Sequence, residues 1–258
     1  MRIAASSYSN TAPLIWSFLY GENHGRAEVI LDNAPARSAE LLGQGRVDAA
    51  LVPVIAYQML DEIRLVPEVC VGAKRQVRSV CLVTRGEELG DVKSVALDVS
   101  SKTSITLTKI IFREFLGTEP EWRDAEPNIH AMLEECDAAL LIGDPALTLP
   151  RTSFEVFDLA EVWNRYTGLG FIFAMWMTRA EKVDLDFAAG RDEGLANITE
   201  ISANYARATG LTTRELTEYL TENISYSADE NMMEGMKLFF DLAAKHELIP
   251  VAKSLVFA

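Results

Sequence analysis

Arg2-Ile3-Ala4-Ala5-Ser6-Ser7-Tyr8-Ser9-Asn10-Thr11-Ala12-Pro13-Leu14 is the stretch on which the fold turns. Its first half, Arg2 to Ser6, is an apolar run of strand length. Its second half reads as a helix start. Asn10 and Thr11 are cap-type side chains, and Pro13 is tolerated in a first turn, where a missing N–H loses no hydrogen bond. The helix then runs through Trp16 and Leu19 to Gly21, a residue suited to ending it. Strand, polar turn and helix in that order open a parallel α/β layer, because a parallel partner strand is reached only through a crossover.

The same logic recurs downstream. Ser94 to Leu97 is strand-like, and Ser100-Ser101-Lys102-Thr103-Ser104 is a hydroxyl-rich helix start. Leu107, Ile111 and Phe115 follow at i, i+4 and i+8 and give one buried face, which Gly117 closes. Val47-Asp48-Ala49-Ala50-Leu51-Val52 is echoed by Cys136-Asp137-Ala138-Ala139-Leu140-Leu141, so the chain reads as two similar α/β lobes. Ser79 to Thr84 and Phe171 to Thr178 are strand-like crossings between them. The expected division is residues 1–84 with 178–258 for lobe one and 85–177 for lobe two. The tail is helical. Asn197 to Ala208 stops at Gly210, and Thr212 with Glu215 and Ser227 with Glu230 have capping-box spacing. Met233, Met236, Phe239, Phe240 and Leu242 form a core stripe.

Composition narrows the function. The 258 residues carry a formal charge of −14, which disfavours nucleic acid and anionic membranes as partners, since both need a basic patch. A small anion remains possible, because a few donors in a cleft suffice. Cys70, Cys81 and Cys136 lie in apolar runs without metal spacing and read as buried free thiols of a reducing compartment. His24, His130 and His246 are scattered. No signal-like segment opens the chain, and the longest apolar run, Phe171 to Met177, is far short of a membrane span. A cytoplasmic monomer or homodimer with no metal and no cofactor is expected. The acidic stretch Asp184 to Glu193 is the one candidate for disorder.

Ligands of open α/β sheets lie beyond the carboxyl ends of the strands. Four loops converge there: Ser7 to Pro13, Val52-Pro53-Val54, Ser100 to Ser104 and Ile142-Gly143-Asp144. Two run into helix N-termini, which favour carboxylates. Asp144 reads either as a helix cap or as a cleft acid–base group. Trp163 to Gly170, with Tyr166, reads as a cleft lip. These residues alone leave enzyme and receptor both open.

The motifs together resemble a known family. Ser6 to Leu14, Val77-Arg78-Ser79-Val80, Ser101-Lys102-Thr103-Ser104, Leu141-Ile142-Gly143-Asp144 and the Trp163 to Trp176 stretch are similar, in order and spacing, to chorismate dehydratases of the futalosine route to menaquinone. The resemblance implies a periplasmic-binding-protein type II fold, with mixed, mostly parallel sheets flanked by helices and extra C-terminal helices. It implies a carbon–oxygen lyase that dehydrates chorismate to 3-[(1-carboxyvinyl)oxy]benzoate. Asn10 and Ser79 then orient the ring and donate to developing charge, with Asp144 or a substrate carboxylate as base. Ser7, Thr11, Pro53, Ser101, Lys102, Thr103, Ser104, Gly143, Trp163 and Tyr166 are expected to bind substrate. Ser9, Val54, Ala56, Lys102 and Pro145 depart from the family pattern. A non-catalytic carboxylate-binding protein and a related lyase with another substrate are the alternatives.

Overall fold

The computed structural model describes residues 1–33 and 35–258. The chain begins with β1 (Arg2–Ser6), α1 (Ala12–Tyr20), β2 (Glu28–Asp32), α2 (Pro35–Gly43), β3 (Ala49–Pro53), α3 (Ala56–Met59) and β4 (Arg64–Ala73). It continues with β5 (Val80–Thr84), β6 (Ser94–Asp98), α4 (Lys102–Ile110, prolonged by a π-helix over Ile111–Leu116), β7 (Glu121–Ala125), α5 (Ile129–Glu135), β8 (Ala138–Ile142), α6 (Gly143–Leu147), β9 (Glu155–Asp158) and α7 (Leu159–Thr167). After β10 (Phe171–Thr178) come α8 (Phe187–Ala196), α9 (Ile198–Thr209), α10 (Thr213–Glu218), a π-helical turn over Tyr219–Asn223, and α11 (Glu230–Lys245).

The strands form two five-stranded sheets, ordered β2-β1-β3-β10-β4 and β7-β6-β8-β5-β9. In each, one strand (β10 or β5) runs antiparallel between parallel neighbours. The two orders are the same pattern, which accounts for the repeated Asp-Ala-Ala-Leu motif. In the first sheet the Asp48 carboxylate accepts the Arg2 amide at 2.7 Å, where β1 begins. In the second, Asp137 accepts the Lys93 and Ser94 amides at 2.9 and 3.1 Å, where β6 begins. Each aspartate satisfies donors at a strand end that would otherwise lack partners.

The crossings do not fall at 84/85 and 177/178. The strand over 80–84 already belongs to the second sheet, and the strand over 171–178 already belongs to the first. The chain crosses before each of these strands, not after it. The reason is packing: β5 and β10 are apolar and fully flanked, so each is an inner strand of the sheet it enters. At the first crossing the Asp158 carboxylate accepts the amides of Val77 and Arg78 at 2.9 and 2.6 Å, and those of Ala160 and Glu161 at 3.0 and 3.2 Å. One buried side chain thus pins the crossing and caps α7.

A continuous apolar core joins the two sheets, and a smaller cluster around Cys81, Ala139 and Leu141 lies on the far face of the second. Local signals held along much of the chain. Ser101 caps α4, Gly117 ends the π-helix in the left-handed region (φ 67°), and Thr212 with Glu215 forms a capping box. At α11 the cap is Asp229 rather than Ser227. The acidic stretch is not disordered: Asp186 caps α8 and the helix runs through it. The three cysteines are free and buried, and burial pushes the thiols of Cys70 and Cys81 up to about 12. Among the described residues no helix is long and apolar enough to cross a membrane.

Candidate active site

Between the two sheets lies a cleft of about 500 Å³, its open mouth included. Its walls come from the ends of β1, β3 and β8, from the start of α4, and from β4, β5 and β10 (Val71, Val80, Phe173). Ser6, Asn10, Thr11, Ser101 and Ser104 give it hydroxyl and amide groups. Pro53, Val71, Val80, Ile142 and Phe173 give it an apolar lining. No lysine or arginine lines it among the described residues. An anion bound there is held by neutral donors and helix-end amides.

The loop after β1 is held by its own hydroxyl. Thr11 does not cap α1; its Oγ1 donates to the carbonyls of Ser6 and Tyr8 at 2.6 and 2.8 Å. That tightens a 3₁₀ turn over Ser9–Thr11 and presents Asn10 to the cleft. On the opposite side, Ser101 Oγ accepts the Ser104 amide at 3.3 Å and lies 3.1 Å from Ser104 Oγ.

Two contacts close the cleft. Thr103 Oγ1 accepts the Ile55 amide at 3.2 Å, and Asp144 accepts the amide of Ser9 at 3.3 Å as well as its hydroxyl. Asp144 is therefore neither a helix cap nor a free group: the second sheet's loop holds the first sheet's opening motif through it. Gly143 sits at φ 64° with its face against the Tyr8 ring, and its amide donates to the Ser79 carbonyl at 2.7 Å. A Cβ on Gly143 would lie 2.9 Å from the ring.

Ser79 is fully buried just behind this surface. Its Oγ accepts the hydroxyl of Tyr219 at 2.7 Å; burial pushes that phenol up, and hydrogen bonding with Ser79 and Asn10 opposes the rise. Asn10, Ser79, Thr11, Pro53, Ser101, Ser104 and Gly143 are thus brought together at or directly behind the cleft. Others are not. The Ser7 hydroxyl donates to Asn33 at 2.7 Å, off the cleft. Lys102 is exposed and lines, with Glu40 and Met59, a neighbouring cavity that shares Pro53 with the cleft. Trp163 is fully buried against Phe115, Phe171 and Phe239, so it is core and not a lip. Tyr166 is exposed on the surface and stacks on Phe115 at 4.6 Å.

Sequence reading missed Tyr8 and Phe173, which line the cleft, and Tyr219 behind it. Burial raises the Tyr8 hydroxyl above its usual range, and Asp98 and Asp144 raise it further. Burial likewise raises the carboxyls of Asp98 and Asp144, opposed by hydrogen bonds from Ser100 and from Ser9 respectively. A bound anion adds to this rise, because a neighbouring negative charge disfavours ionisation.

The chain is 31% identical over 255 residues to the chorismate dehydratase of Thermus thermophilus, covering 90% of this chain and 91% of that one. Among solved structures, a protein of Archaeoglobus fulgidus superposes with a TM-score of 0.69 at 19% identity, over 96% of this chain and 98% of that one. The periplasmic aliphatic sulphonate binding protein of Escherichia coli gives 0.68 at 15% identity, over 98% and 89%. At these identities the likeness to solved structures is one of fold, and the fold is that of the periplasmic binding proteins. The family model described as menaquinone biosynthesis matches residues 1–245, and the chain belongs to that family.

Proposed function

We propose that the protein is a lyase that dehydrates chorismate to 3-[(1-carboxyvinyl)oxy]benzoate, a step toward menaquinone. The likeness to a chorismate dehydratase along nearly the full length carries the reading. The cleft supports it: a neutral, partly apolar pocket with donors on facing walls suits a ring bearing two carboxylates.

The reaction breaks a ring C–H bond and the neighbouring ring C–O bond. The C–H electron pair becomes ring π-bond, the oxygen leaves with its own pair, and the removed proton joins it to make water. The product ring is aromatic, so the step is downhill and needs orientation more than strong acid or base. We assign Ser101, Ser104 and the amides opening α4 to one carboxylate. The carboxamide of Asn10 holds the ring. Ser79, directly behind the cleft wall, faces the departing oxygen when the cleft reshapes around substrate, and its hydrogen bond stabilises the charge developing there. Asp144 is engaged with Ser9, which leaves the substrate's own side-chain carboxylate as the base; it takes the ring proton and hands it to the departing hydroxide. Tyr8 and Gly143 close over the ring and exclude water. Because Asp144 and Thr103 both reach across the cleft, substrate entry requires the two halves to part.

The test is purified protein with chorismate, followed by liquid chromatography and mass spectrometry. Protein-dependent loss of one water with an aromatic product is expected. Absence of turnover at any protein concentration overturns the reading.

A further inference from the structure

Tyr219 belongs to none of the strands or loops that form the cleft. It sits on the π-helical turn after α10 and is 1% exposed. Its hydroxyl nevertheless reaches a residue of the site, donating to Ser79 across 140 positions of sequence. A phenol has one proton. Tyr219 gives it to Ser79 Oγ at 2.7 Å, so Ser79 must place its own proton elsewhere. The acceptor it meets among the described residues is the Val77 carbonyl at 3.4 Å, at the outer limit of a hydrogen bond. That proton is available to a better acceptor.

We infer that Tyr219 is a positioning residue for the dehydration. It fixes the direction of the Tyr219 to Ser79 hydrogen bond, so that the substrate meets Ser79 as a donor. The inference rests on the proposed reaction and adds a residue from the C-terminal helices to the machinery. Tyr226 supplies an internal control. It is also buried, near Tyr219, but among the described residues its hydroxyl has no hydrogen-bond partner.

The experiment compares steady-state kinetics and melting temperatures of wild type, Tyr219→Phe, Ser79→Ala, the double variant and Tyr226→Phe. Tyr219→Phe removes one oxygen and keeps the ring. Its kcat is expected to fall by about ten- to a hundredfold with KM within about threefold, the pattern of a lost orientation felt mainly in the transition state. The double variant is expected to be no slower than Ser79→Ala alone, because both changes remove the same oriented donor. Tyr226→Phe is expected to keep wild-type kcat. The inference is overturned if Tyr219→Phe stays within about twofold of wild type, or if the two losses multiply in the double variant. It is also overturned if Tyr219→Phe loses activity only together with a melting drop of more than about 10 °C, which marks a core residue. A wild type that turns over chorismate beside an unimpaired Tyr219→Phe refutes this inference alone; a wild type without turnover refutes the reaction and the inference together.

Discussion

Replacing Gly143 with alanine separates the energetics of folding from those of cleft closure. The backbone at Gly143 has φ 64°, where a Cβ costs about 1–2 kcal/mol. That strain acts whether the cleft is open or closed, so it appears in global stability. For a chain of this size it lowers the melting temperature by roughly 2–8 °C. The second penalty is different in kind. The new Cβ would lie 2.9–3.0 Å from three atoms of the Tyr8 ring, and Tyr8 comes from the opposite half of the cleft. The clash vanishes when the halves part, so it burdens only the closed state. Overpacking of one methyl costs about 1–3 kcal/mol, which as a shift between two states corresponds to about 5- to 150-fold. The expected result is a modest loss in urea stability together with a much larger fall in kcat/KM. Small-angle scattering with ligand should show less compaction than wild type. A variant that loses stability but keeps kcat/KM within about twofold refutes the closure argument. One that loses neither refutes the backbone argument as well.

Further expectations follow from the same contacts. Asp158→Ala leaves four amides without their acceptor, two of them at the crossing and two at the start of α7, and should cost about 3–5 kcal/mol in chemical denaturation. A loss under about 1 kcal/mol would show that the crossing is held by packing instead. Asp144→Asn should keep turnover within about tenfold, since the side chain acts on Ser9 and not on the substrate proton; a loss on the scale of about 10⁴ would make it the base. The same variant has a pH signature. Burial raises the Asp144 carboxyl in the folded state, so the native protein binds this proton before the unfolded chain does, and its contribution to stability grows as pH falls from 7 toward about 4. The stability of wild type minus that of Asp144→Asn should therefore rise on acidification, and a falling difference contradicts the assignment.

The sequence carried the parts of this structure that local chemistry dictates. The strand–turn–helix openings at Arg2 and Ser94, the Ser101 cap and the closing glycines at 117 and 210 all follow from hydrogen bonds within a few residues. So did the four loops of the cleft, because topology alone sends them there. Long-range events were illegible. The placement of β5 and β10 depends on which sheet each strand enters, and an apolar run looks the same in either. Trp163 was misread because polar neighbours on its helix suggested a lip, while its own ring turns inward among three phenylalanines. Tyr219 carried no signal, since its partner Ser79 lies 140 residues away and its surroundings spell an ordinary helix end. Asp144 was legible as an acidic group at the cleft, but its engagement by Ser9 exists only once both halves are folded.

The exchange of strands between the sheets has a consequence for biosynthesis. All strands of the second sheet lie between residues 80 and 158, so a nascent chain can complete that sheet while the rest is still being translated. The first sheet cannot be finished in the order it is made. β3 and β4 emerge early, yet the strand that pairs with both is β10, at residues 171–178. Until that segment leaves the ribosome, two apolar edges wait exposed in the half that was synthesised first. The later-encoded half is therefore the natural first folding unit, and the window between residues 73 and 171 is when the growing polypeptide is most in need of a chaperone.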